Sequence, residues 1–92
     1  MANAIVTIKI MPESPEVDLE ALSVKVKEKI AEFAGEGDTK QDIEPVAFGL
    51  KALKIIFVMD EAKGSPEPVE KEIENLEGVN SVEVIDVRRA IG

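Results

Sequence analysis

The 92 residues contain no histidine, cysteine, tryptophan or tyrosine. Ser/His/Asp and Cys/His catalysis, imidazole or thiolate metal sites, haem ligation and disulfides therefore lack their reagents. Carboxylate, amine, guanidinium and hydroxyl groups are what remains for chemistry. A carboxylate acid/base pair or a hard-cation site would draw on these, yet no loop rich in Asp and Asn around a central glycine occurs, and 19 acidic residues make chance clusters common. The expectation is a chain with no catalytic residue, no metal and no cofactor of its own, and so not an enzyme. The absence of cysteine fits a reducing compartment. No stretch approaches the roughly 20 apolar residues that cross a bilayer, and the apolar N-terminal octet has neither a basic flank nor a small-residue cleavage site. A cytoplasmic protein without membrane contact is predicted.

What is present is globular in composition: 45% hydrophobic and 33% charged residues, enough apolar material to offset the entropy of ordering. At this length the chain is expected to form one domain, residues 1–92. The 19 carboxylates against 11 Lys and Arg give a formal charge of −8, which repels phosphate backbones, and three phenylalanines are the whole aromatic supply for base stacking. Direct nucleic-acid binding is disfavoured, whereas a protein with a basic face would be drawn in.

Ala4 to Met11 alternates, with Val6, Ile8 and Ile10 on one face and Thr7 and Lys9 on the other, the period of a half-buried strand. Pro12 and Pro15 end it. A helix follows, capped by Asp18 or Ser14, with a stripe of Leu19, Leu22, Val26, Ile30 and Phe33. It stops in the glycine-bearing segment Ala34 to Asp38. Lys40 to Val46 is the weakest strand pattern, and Pro45 marks it as an edge. Leu50 to Met59 is the strongest: Leu53, Ile55, Phe57 and Met59 share one face and Ile56 and Val58 the other, predicting a central strand covered on both sides. After a polar turn from Asp60 to Gly64, Ser65-Pro66-Glu67 opens a second helix with Val69, Ile73 and Leu76 as its stripe. Gly78 closes it, and Val79 to Val87 is the last strand, whose parity change between Val84 and Ile85 predicts a bulge or burial on both faces.

The order strand, helix, strand, strand, helix, strand, with Ser14-Pro15-Glu16 echoed by Ser65-Pro66-Glu67, specifies an α+β ferredoxin-like plait: a four-stranded antiparallel sheet with both helices on one face. That fold hosts many functions, so the informative residues are those the fold does not need. Phe33 and Phe57 fall on buried faces. Phe48 falls outside both strand patterns, in a stiff loop between Pro45 and Gly49. From spacing alone it either plugs the end of the core or presents an apolar anchor to a partner. Gly49 is either part of that anchor or only a positive-φ turn. Arg88 and Arg89, cations in an acidic chain, either pair with Asp86 or Glu83 or meet a partner. Gly35-Glu36-Gly37-Asp38 is no phosphate loop, because it lacks the lysine and follows a helix.

Pro45-Val46-Ala47-Phe48-Gly49-Leu50-Lys51-Ala52-Leu53, Asp86-Val87-Arg88-Arg89, Ile10-Met11-Pro12-Glu13-Ser14-Pro15 and Asp18-Leu19-Glu20-Ala21-Leu22 together resemble the archaeal elongation factor 1-beta family, which is similar to the exchange domain of the eukaryotic elongation factor 1B alpha subunit. The resemblance spans essentially the whole chain. It implies guanine-nucleotide exchange on the GTPase elongation factor 1-alpha, in its GDP-bound and nucleotide-free states, by a protein that is a monomer when free. It gives Phe48, with Gly49, the part of the loop that presses into the GTPase. The eukaryotic relatives also use a lysine beside the C-terminus to disturb the magnesium site. This chain has Arg88 and Arg89 and no lysine there, so that role does not transfer directly and the arginines stand as substitutes. The alternative is a regulatory or small-ligand-binding plait that leaves GDP release unchanged.

Overall fold

The computed structural model describes residues 3–35, 37, 39–47 and 49–90. Alternation builds β1 (Asn3–Pro12), which buries Ala4, Val6, Ile8, Ile10 and Pro12 and half-buries Ile5, Thr7, Lys9 and Met11. The first helix, α1 (Leu19–Ala34), buries Leu22, Val26 and Ile30. Asp18 is its cap: the Oδ1 atom accepts from the N–H groups of Glu20 (3.1 Å) and Ala21 (3.3 Å), donors that have no partner within the helix. Ser14 instead accepts from Glu16 N–H (3.3 Å) within the preceding turn. Replacing Asp18 with alanine is expected to cost about 1 kcal/mol of unfolding free energy, read as a lower urea midpoint at unchanged slope; an unchanged midpoint would show that the cap is dispensable.

Strands β2 (Thr39–Pro45) and β3 (Lys51–Asp60) follow, then a 3-10 turn at Glu61–Lys63, helix α2 (Glu67–Glu74) and β4 (Val79–Ala90). The sheet order is β2-β3-β1-β4 with every neighbouring pair antiparallel, the ferredoxin-like plait. One core joins the inward residues of β1 and β3 to Leu22, Val26 and Ile30 of α1 and to Val69 and Ile73 of α2. β2 is an edge strand exposed over most of its length, so Pro45 costs the ladder little there. No helix among the described residues is long and apolar enough to cross a membrane.

Four features depart from the sequence expectation. β3 is central but covered on one face only: Leu53, Ile55, Phe57 and Met59 are buried, whereas Ile56 and Val58 are 37% and 42% exposed on the side without helices. Phe57 is core as expected, but Phe33 is half-buried near the end of α1, with Lys63 Nζ 5.9 Å from its ring centroid. α2 ends at Glu74, so Leu76 packs on the core from the turn that follows. β4 runs on to Ala90, because β1 begins at Asn3 and offers Ala4 and Ile5 as partners to Arg89 and Arg88. The echoed Ser-Pro-Glu segments do share a local structure, since Ser65 Oγ accepts from Glu67 N–H (3.0 Å) as Ser14 does from Glu16. The parity change in β4 is a bulge: Ile8 pairs with Val84 and Thr7 with Asp86, leaving Ile85 as the extra residue.

Candidate functional site

The sequence candidates fall into two clusters. The first is the β2–β3 loop. Val46 N–H donates to the Leu50 carbonyl (2.9 Å) and Leu50 N–H to the Ala47 carbonyl (2.9 Å), so main-chain bonds fix the loop. Gly49 has φ +77°, and a Cβ there would meet nothing within 4 Å. The glycine thus supplies a backbone conformation, not space for a close neighbour. Phe48, the expected anchor, lies outside the described residues. Beside the loop, a groove of about 370 Å³ runs toward the turn after β1, with Pro12, Pro15, Leu19, Ile43, Gly49 and Lys51 in its walls. The loop's own residues, Pro45, Val46, Ala47 and Leu50 among them, shape a second depression of about 230 Å³. Val46 is 46% exposed there.

The second cluster is the end of β4. Directly paired residues of an antiparallel sheet share a face, so Arg88, opposite Ile5, is on the open face, and Arg89, opposite the buried Ala4, is on the helix-bearing face. Arg88 Nε donates to Asp86 Oδ2 at 2.9 Å, one of the local pairings expected. Arg89 Nε donates to Glu61 Oε1 at 2.9 Å, a contact across 28 residues of sequence. That hydrogen bond, followed by the charge of the same carboxylate, raises the Arg89 pKa above the usual arginine value. Both arginines keep most of their side-chain surface exposed.

The two clusters are not brought together. Arg88 lies in the row of Ile5 and Val58, while the loop joins β3 at Lys51; seven residues at about 3.4 Å each separate them by about 24 Å along β3. The longest dimension of the molecule is 42 Å. Among the described residues no group of three or more carboxylates could hold a metal ion. The arrangement offers contact surfaces: a stiff loop flanked by depressions at one end and two directed cations at the other. Sequence reasoning missed Glu61, which read only as part of a polar turn, because nothing in a sequence signals a partner 28 residues away. It also missed the groove, which exists only once the turn after β1 is folded beside the loop.

Comparison with known proteins bears on this arrangement. Residues 5–90 match the EF-1 guanine nucleotide exchange domain family. Elongation factor 1-beta of Methanothermobacter thermautotrophicus is 48% identical over 89 residues, covering 97% of this chain and 98% of the relative. That of Staphylothermus marinus is 44% identical over 90 residues with the same coverage. Among solved structures, the de novo designed protein Foldit4 superposes with a TM-score of 0.66 at 17% identity, covering 98% of both chains, a likeness of fold alone.

Proposed function

Because the chain belongs to the EF-1 guanine nucleotide exchange family, and is thereby a guanine-nucleotide exchange factor for elongation factor 1-alpha, we propose that it promotes GDP release by gripping that GTPase at both ends of the plait. Phe48 and Gly49 form one contact and Arg88 and Arg89 the other. The observation that carries the exchange function is the family match across residues 5–90. The two-ended contact is supported by the register, which puts the loop and the arginines at opposite ends of β3. A partner meeting both must span the domain.

Exchange requires no covalent chemistry. A factor that binds the nucleotide-free GTPase more tightly than the GDP-bound form must, by linkage, weaken GDP binding by the same ratio. Contact and charge suffice, so the chain acts without being an enzyme and without a cofactor. The charge of −8 speeds encounter with a basic partner and disfavours direct contact with nucleic acid. Residues 1–92 work as one exchange unit, monomeric when free, in the cytoplasm.

The test is release of a fluorescent GDP from elongation factor 1-alpha in a stopped-flow instrument with increasing concentrations of this protein. A rate that climbs and saturates is expected. A release rate independent of the protein would overturn the function and restore the ligand-binding alternative.

A further inference from the structure

We infer that Glu61 is a positioning residue for exchange, holding Arg89 in the orientation in which it meets the GTPase. The inference rests on the exchange reading above. β4 and the turn carrying Glu61 are not neighbours, since β1 stands between β4 and β3. The sheet row reads Met59, Ala4, Arg89, and the Arg89–Glu61 pair reaches across the end of β1 beside the short side chain of Ala4.

Glu61 is itself fixed. The Asp60 carboxylate accepts from Ala62 N–H (2.9 Å), and Gly64 N–H donates to the Glu61 carbonyl (3.0 Å), so the turn is closed at both ends. Among the described residues Arg88 has no such tie: its bond is to Asp86, two residues back on its own strand. An arginine is among the most costly side chains to immobilise, and ordering it before docking removes that cost from association. The bond uses the Nε–H and leaves the Arg89 side chain 71% exposed, so a partner carboxylate or phosphate can still take the guanidinium fork. An exposed pair holds a side chain weakly, which limits the effect to a few-fold.

The experiment measures GDP release from elongation factor 1-alpha against the concentration of wild type, R89Q, E61Q and the swap E61R/R89E, with a thermal melt of each. R89Q is expected to lower the maximal rate about ten-fold. E61Q should leave the maximum unchanged and raise the half-saturating concentration about three-fold, because Arg89 is still present but no longer ordered in advance. The swap should melt as the wild type does while exchanging as slowly as R89Q, since it restores an ion pair without a cation at position 89. An E61Q titration superimposable on wild type overturns the inference, as does a swap that recovers wild-type exchange, which would make the pair purely structural. If wild type accelerates release and these variants match it, the role of Glu61 falls and the exchange function stands. If wild type itself has no effect, the exchange reading falls and this inference with it.

Discussion

Replacing Phe48 with alanine is expected to slow GDP release from elongation factor 1-alpha about 30-fold at subsaturating concentrations, roughly the 2 kcal/mol by which an aromatic anchor typically stands out in an interface. The fold should survive. Among the described residues the loop is closed by main-chain bonds, Val46–Leu50 and Leu50–Ala47, and truncation at position 48 removes neither. The melting temperature and the circular dichroism spectrum should therefore match wild type while exchange drops. Phe48→Leu, which keeps an apolar side chain, should lose only part of the rate. An unchanged release rate for Phe48→Ala would remove the loop from the interface. A large loss of stability would instead assign Phe48 to the core, where spacing alone also allowed it.

Phe57→Ala should act in the opposite way. Phe57 is 1% exposed, lies in the row of Val6 on β1, and is the largest of the fully buried side chains among the described residues. Emptying it leaves a cavity in the middle of the central strand, for which about 3–5 kcal/mol is typical. Against the 5–15 kcal/mol that holds a domain of this size, the loss is a large fraction. The melting temperature should fall by on the order of 20 °C. Near 10 °C, while the variant stays folded, exchange should remain close to wild type, because β3 presents Phe57 to the core and not to a partner. A melt within a few degrees of wild type would contradict the packing described here.

Much of this was legible in the sequence because it depends on periodicity. β1, α1 and the inner face of β3 announce themselves by spacings of two and of three to four, and the plait follows from their order. Asp18 is readable as a cap because its hydrogen bonds reach only two or three residues along the chain. Ser65, expected to cap the second helix, bonds as locally to Glu67 N–H, but the cap position falls on Pro66, which has no side-chain bond to give. What the sequence conceals is what depends on a third element. Ile56 and Val58 have the pattern of a strand buried on both faces, yet both helices pack on the other side. Leu76 continues a helical stripe past the point where the helix ends, since a turn can also deliver a side chain to the core. Arg88 and Arg89 read as a tail; their places in a paired strand depend on where β1 begins, at the far end of the chain.

Ile85 acts on β4 as a frameshift acts on a message. Up to Val84 the strand is in one phase, with Val82 and Val84 turned toward the core; past the extra residue the phase is reversed. Continued without it, the pairing would set Ile85 against Thr7, Asp86 against Val6, Val87 against Ile5 and Arg88 against Ala4. Arg88 would then occupy the place beside Glu61. The same slip would set Asp86 where Val87 now stands on the edge strand, opposite Val6, a place that stays 53% exposed. One inserted residue therefore decides which of two adjacent, chemically identical side chains is tethered.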